Sequence, residues 1–424
     1  METRDILIIG GGPSGAVAAA LLRQQNFNVL ILEKSHFPRF VIGESLLPAC
    51  MEVLSEAKMT AAVQRAAANR AFQMKNGAAF TWGERYTAFD FTQKYTAGPG
   101  VTYQVKRADF DQVLLEEAGK QGAEIRFGHE VTAYRDTGDG AEVTVQAEDG
   151  SRYTVHARFV LDASGYGRVL PRLLDLERPS VLPERMAVFT HIKDHITDPA
   201  YDRNKILIST PTQLRDVWLW LIPFADGTAS IGVVGEPARL AALGADNESI
   251  LKTAAADVPL LTRFLKDADW DNGMPIRSIR GYSANVSTLY GDHYVLLGNA
   301  SEFLDPVFSS GVTVALVSAQ LAAQAVTRTL RNEAVDWAQD YAAKLTIGVE
   351  AFKTYVLGWY DGSFQDVIYA SDDNPDIRAM ICAILAGYAW DTTNPYVEKP
   401  QRRLAALAET VRGRDKSGEH KDSR

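Results

Sequence analysis

The chain alternates between continuous apolar runs and period-two patterns, and these predict its elements. Asp5–Ile9 is an apolar run that ends in glycines, which reads as a buried strand. Ser14–Gln24 is rich in Ala and Leu and reads as a helix, and Asn28–Leu32 is a second apolar strand. Short strand patterns recur at Val143–Gln146, Thr154–Val160, Ala187–Ile192, Val217–Ile222 and Ala229–Val234, and predict an antiparallel sheet inserted into the α/β part. Tyr294–Leu297 is another buried-strand candidate, and Gly311–Leu330 reads as a helix. Beyond Asp336 the pattern is mostly helical, with Trp337, Tyr341, Phe352, Tyr355, Val356 and Trp359 as expected packing residues. Gly413–Arg424 is charged and small, so a disordered tail is expected there.

Composition narrows the chemistry by exclusion. The 424 residues carry a net charge of -9 with no long basic block, which argues against a nucleic-acid partner. No uninterrupted apolar run is long enough to span a bilayer, and charged residues followed directly by a strand after Met1 predict no leader peptide. The two cysteines, Cys50 and Cys382, lie far apart in no metal or redox spacing, so a cytoplasmic location is the expectation and no metal site is predicted. Redox chemistry would then come from an organic cofactor.

Gly10-Gly11-Gly12-Pro13-Ser14-Gly15 contains G-x-G-x-x-G between a strand and a helix. Gly10 allows the tight turn, Gly12 lets a pyrophosphate approach the backbone, and Gly15 lets helix and strand pack closely. The helix start, with Pro13 and Ser14, offers free N–H groups and a positive dipole end to phosphate. Glu33 ends the second strand about 20 residues on, where the fingerprint places its ribose-binding acid.

Which dinucleotide binds is indicated by resemblance. Arg158-Phe159-Val160-Leu161-Asp162-Ala163-Ser164-Gly165 and Leu296-Leu297-Gly298-Asn299-Ala300 resemble the second and third signature segments of the para-hydroxybenzoate-hydroxylase-like FAD proteins. Asn299 stands where that family usually has an Asp, keeping a hydrogen-bonding group without its charge. Lys34, Arg39, Glu44, Ser45, Gln104 and Arg107 resemble further FAD contacts. The resemblance implies an α/β fold with a Rossmann-type FAD domain from 1–75, 100–178 and 284–345. A mostly antiparallel substrate-side sheet would come from 76–99 and 179–283, a helical C-terminal region from 346–412, and a tail from 413–424.

Three further segments resemble the flavin-dependent halogenases, closest to the branch that acts on phenols and carrier-tethered aromatics. Trp218-Leu219-Trp220-Leu221-Ile222-Pro223 matches W-x-W-x-I-P, and Phe303 through Gly311 matches F-x-x-P-x-x-S-x-G. Lys75 lies where that family has its catalytic lysine. The resemblance implies that FADH2 and O2 give a flavin C4a-hydroperoxide, which oxidises chloride or bromide to hypohalous acid. Trp218, Trp220 and Pro223 would wall the flavin off from the substrate, two indoles on one face of a strand being bulky and rigid. Backbone N–H groups of Ser310 and Gly311, at a helix start, would hold the halide, Gly311 also meeting the flavin. Lys75 would project into the path to the substrate, with burial lowering its pKa so that ammonium or amine can direct the electrophile.

Tryptophan halogenases carry a glutamate where this chain has Phe308, so the resemblance points to a phenol- or pyrrole-like ring and implies an acyl or peptidyl carrier protein as a partner. One nucleotide fingerprint only implies a separate flavin reductase. An aromatic monooxygenase, a geranylgeranyl-reductase-like enzyme and a flavin-binding protein without catalysis are the alternatives.

Overall fold

The computed structural model describes residues 2–370 and 374–419. Glu2–Ile9, Pro13–Gln24 and Val29–Glu33 form the expected strand, helix and strand. They start an eight-stranded sheet whose path runs Tyr290–Gly291, Tyr294–Leu296, Arg152–Asp162, Glu2–Ile9, Val29–Glu33, Glu124–Phe127, with Ala141–Ala147 and His129–Asp136 added at one side. Four of the five pairings along this path are parallel, all but Tyr290–Gly291 with Tyr294–Leu296.

The predicted strands at 143–146 and 154–160 lie in this sheet, not in the inserted antiparallel one. Arg152–Asp162 serves two partners. Arg152–Ala157 pairs antiparallel with Ala141–Ala147, while Val155–Asp162 runs parallel to the first strand. The sequence carries both roles: its burial alternates at first and is continuous from Phe159 to Asp162. Alternation suits a half-exposed antiparallel ribbon and continuous burial suits a parallel strand covered on both faces.

The second sheet has seven strands in the order Arg277–Arg280, Met186–Lys193, Thr228–Gly235, Trp218–Pro223, Lys205–Thr210, Gly77–Trp82, Arg85–Asp90. All its neighbours are antiparallel except Lys205–Thr210 with Gly77–Trp82. Its five inner strands are buried on both faces, while the edge strands Arg277–Arg280 and Arg85–Asp90 are largely exposed. Trp218, Trp220, Ile222, Phe80 and Phe189 join the main core, whereas Leu219, Leu221, Val188, Ile231 and Val233 pack a separate cluster with the helices Asn247–Ala256 and Pro259–Phe264.

The helix Ser310–Leu330 packs against Pro13–Gln24. It is long and apolar enough to cross a membrane, contrary to the reading of the sequence, but 67% of its apolar window is buried inside the protein. Its hydropathy is that of a core helix. The C-terminal part is helical, with Lys344–Tyr360, Ser363–Ile368, Pro375–Leu385 and Pro400–Glu419 as its main elements. The last of these runs through residues 413–419, which were expected to start a tail; 420–424 lie outside the described residues.

Candidate active site

A cavity of about 520 Å³ runs from the glycine turn to the tryptophan strand, lined at one end by Gly10, Gly12, Ser14 and Glu33 and at the other by Trp218 and Trp220. That volume suits an organic ligand. At the glycine turn, Gly10 has φ +97°, and a Cβ there would stand 2.6 Å from the Ala163 carbonyl oxygen. A Cβ on Gly12 would meet only the Arg39 guanidinium at 3.6 Å, which leaves that face open to a ligand. Pro13 occupies the first turn of the helix and also lines the cavity. Glu33 is buried, its carboxylate accepting from the backbone N–H of Gly11 at 2.8 Å and of Ser35 at 2.9 Å. The open glycine face, the helix start and this fixed acid together fit a dinucleotide.

Lys34, Arg39, Ser45, Arg107, Asn299 and Gly311 also line the cavity. Arg107 forks onto Asp111, with Nε 2.7 Å from Oδ1 and Nη2 3.0 Å from Oδ2, and Arg39 lies 3.6 Å from the same carboxylate. Asp111 went unnoticed in the sequence, although the four-residue spacing on one helix was a signal for it. Asp162 is off the cavity. It is fully buried, and its oxygens accept from Ser164 N at 2.9 Å and Leu170 N at 2.6 Å. The expected cofactor contact is therefore a buried clasp that shapes the 163–169 loop, several of whose residues line the cavity. Gln104 is likewise buried away from the cavity wall, donating to the Arg203 carbonyl at 3.1 Å.

Trp218 and Trp220 stand side by side, ring centroids 5.8 Å apart at 46°. The indole N–H of Trp218 donates to the Tyr360 hydroxyl at 3.0 Å, and that of Trp220 to the Ser230 hydroxyl at 3.0 Å. The third wall residue is Ile222, not Pro223, because the pleat turns odd-numbered positions of this strand to the other face. Gly232 opposes Trp220 across the strands, and a Cβ on it would lie 2.3 Å from the indole. Gly232→Val should therefore destabilise the protein by about 1–3 kcal/mol through overpacking and push Trp220 toward the cavity. Denaturant melts and FAD titration check this; unchanged stability would mean the indole is not wedged against this glycine.

Beside the wall, Pro306–Phe308 forms a tight turn and Ser309 takes a left-handed conformation (φ +57°) just before the helix Ser310–Leu330 begins. Ser309, Gly311 and Val312 line the cavity, while Ser310 is 2% exposed and does not. Ser309 gives its N–H to the Pro306 carbonyl at 3.0 Å, so the expected halide donors stay the backbone N–H groups of Ser310 and Gly311, of which Gly311 is on the cavity wall.

Lys75 lies in the short strand Gln73–Lys75, which pairs with Thr102–Gln104. It is 1% exposed. Its ammonium donates to the Ser45 hydroxyl at 2.7 Å and the Leu46 carbonyl at 2.8 Å, and lies 5.5 Å from the centre of the Phe91 ring. Burial lowers its pKa from 10.5 to about 7, weakly opposed by Cys50. The lysine was expected to project into the path from cofactor to substrate. Instead it stands one residue behind the cavity wall, with Ser45 between. Its neighbour Phe91 is itself buried, and the C-terminal helix Pro375–Leu385 ties onto the 85–95 segment that carries this ring, through Cys382 to the Asp90 carbonyl and Tyr95 N–H to the Ala379 carbonyl. The tertiary fold also brings Glu44 and His191 together, Oε1 to Nε2 at 2.6 Å, with Glu44 on the cavity wall. Their separation of 147 positions along the chain hid this pair from sequence reading.

Residues 3–205 match a family model described as an FAD binding domain. The chain is 30% identical over 409 residues to the flavin-dependent halogenase armH3 of Armillaria mellea, covering 89% of this chain and 78% of that one. It is 28% identical over 439 residues to a 1H-pyrrole-2-carbonyl peptidyl-carrier-protein chlorinase of Pseudomonas fluorescens, covering 96% and 94%. Among solved structures, a flavoprotein/dehydrogenase from Cytophaga hutchinsonii is 39% identical with a TM-score of 0.92, covering 98% of this chain and 100% of that one. A myxobacterial chondrochloren halogenase is 28% identical with a TM-score of 0.73, covering 97% of each.

Proposed function

This chain belongs to the flavin-dependent halogenase family, and from that premise we propose that it halogenates an electron-rich, phenol- or pyrrole-like ring carried on a carrier protein. FAD is its cofactor. Reduced and met by O2, it supplies the oxidant that raises a chloride or bromide ion to the level of hypohalous acid. A separate reductase would deliver the reduced flavin. The observation that carries the reading is Lys75, a fully buried lysine held 2.7 Å from a serine on the wall of the FAD cavity.

The residues divide the work by position. Gly12, Glu33 and Arg39 hold the dinucleotide. The turn at Ser309 and Gly311 opens a helix whose first N–H groups and dipole favour an anion. Trp218, Trp220 and Ile222 keep an aromatic ring from meeting the flavin directly. Ser45 connects the cavity to Lys75. Near pH 7 that lysine is divided between ammonium and amine, so it can either hydrogen-bond hypohalous acid or take up the halogen. The carrier follows from the chlorinase relative, whose substrate is a pyrrole on a peptidyl carrier protein.

The test is product analysis with FAD, a flavin reductase, NADH, O2 and bromide, offered hydroxybenzoyl and pyrrole-2-carbonyl probes free and on a carrier. Brominated product that disappears when bromide is omitted supports the reading. A second reading is favoured by the enclosed lysine and the likeness to the Cytophaga hutchinsonii flavoprotein/dehydrogenase: flavin-dependent dehydrogenation, with Glu44 and His191 handling protons on the cavity side. Halide-independent turnover to a hydroxylated or desaturated product would replace the halogenase reading.

A further inference from the structure

We propose that Asp305 and Tyr360 are positioning residues that clamp the tryptophan wall to the anion-facing turn; its catalytic consequence rests on the halogenase reading, and its geometry does not. Asp305 is 2% exposed. Its Oδ1 accepts the Val307 N–H at 3.0 Å, which caps the Pro306–Phe308 turn leading to Ser309 and Gly311. Its Oδ2 accepts the Tyr360 hydroxyl at 2.9 Å. The same Tyr360 oxygen accepts the Trp218 indole N–H at 3.0 Å. One carboxylate thus holds the turn directly and the wall through one hydroxyl.

The chain of bonds has a single sense, from indole N–H to phenol O–H to carboxylate, and bonds polarised the same way strengthen one another. Its members come from three parts of the sequence, 142 and 55 residues apart, so no local preference of the backbone holds them. The Arg185 guanidinium lies 4.0 Å above the Tyr360 ring and 3.1 Å from Glu236, which fixes the ring from its face. Apolar contact alone allows an indole to rock within its slot, whereas a directed hydrogen bond sets its rotation. That matters because a barrier displaced from the turn would let the oxidised halogen escape before it reaches the lysine.

Asp305 also gives the clamp a signature. Burial pushes its carboxyl up to about 6, with the Val307 N–H, Tyr360 and Arg185 pulling the other way. Tyr282 and Tyr166 are the other titratable groups that face it. Ionised, the carboxylate can accept both bonds strongly; protonated, it holds them less well.

Fluorine NMR of FAD-free protein labelled with 5-fluorotryptophan tests the geometry, the Trp218 resonance being assigned with Trp218→Phe. The wild-type resonance should shift with a midpoint near pH 6, and the shift should vanish in Tyr360→Phe and Asp305→Asn. A Trp218 signal that titrates unchanged in Tyr360→Phe would overturn the proposal. In turnover, Tyr360→Phe should lower halogenated product per flavin oxidised by about tenfold, the scale of one lost buried hydrogen bond, with FAD affinity unchanged. An unchanged ratio would equally overturn it. A wild-type protein that halogenates nothing would count against the halogenase reading, and the NMR result would still decide the clamp.

Discussion

Replacing Lys75 with methionine should abolish halogenation and, at the same time, make the protein more stable below pH 7. For activity, the expected loss is at least about 100-fold, the lower range for removing a group that acts on the reacting atoms, while reduced flavin is still oxidised by O2. For stability, the reasoning starts from the pKa. An exposed lysine titrates at 10.5 and this one at about 7. Between those values the unfolded chain binds the extra proton and the folded one does not, so wild-type stability rises with pH from about 7 to 10.5. Below pH 7 the folded and unfolded states both carry the proton, so the cost of burying the charge in the fold is present in full. The gap corresponds to about 5 kcal/mol at most. Methionine removes that cost and leaves Ser45 and Leu46 without their donor, a loss of about 1–3 kcal/mol. The net result is a methionine variant more stable than wild type by about 2 kcal/mol at pH 6, with the advantage shrinking as pH rises toward 10. Denaturant melts at several pH values read this directly. A stability difference that does not change with pH would show that the lysine does not titrate in the folded protein. Retained halogenation would remove Lys75 from the chemistry.

Gly15→Ala should give a chain that neither folds stably nor retains FAD. A Cβ at Gly15 would stand 2.0 Å from the carbonyl oxygen of Gly10 and 3.2 Å from the Ala163 side chain. The Gly10 oxygen belongs to backbone that is held on two sides. Gly10 N donates to the Leu32 carbonyl at 2.8 Å, and its Cα faces Ala163 closely enough that a Cβ there would be 2.6 Å from that carbonyl. Neither neighbour is a flexible side chain, so relief requires separating the first helix from the first strand. The cost expected is above about 4 kcal/mol, in the range reserved for severe core disruption, and FAD affinity should fall by more than about 100-fold with it. Gly12→Ala is the contrast. Its added methyl meets only Arg39 at 3.6 Å, so it should melt like wild type and yet bind FAD more weakly. Equal behaviour of the two variants in thermal melts and flavin titrations would refute the division between a packing glycine and a ligand-facing one.

The sequence alone determined the pieces whose causes are local. Glycines at 10, 12 and 15 between an apolar strand and an Ala-rich helix admit few arrangements; the helix and second strand end within one residue of the reading, and the first strand starts three residues earlier than read. Trp218 and Trp220 had to share a face because side chains alternate along a strand. The same rule, applied one step further, puts Ile222 and not Pro223 at the third wall position. What only the tertiary structure decided concerns polar groups and their burial. A lysine between Met74 and Asn76 has no local feature that marks it as enclosed; Ser45, Leu46 and Phe91, brought in from other segments, enclose it. Glu44 with His191, Trp218 with Tyr360 and Asp305, and Gly232 beneath Trp220 arise in the same way. Backbone conformation and side-chain periodicity are properties of neighbours along the chain and so can be read from it. Desolvation and hydrogen-bond satisfaction depend on which distant segments arrive at a group, and that is settled only when the two sheets and the C-terminal helices close on one another.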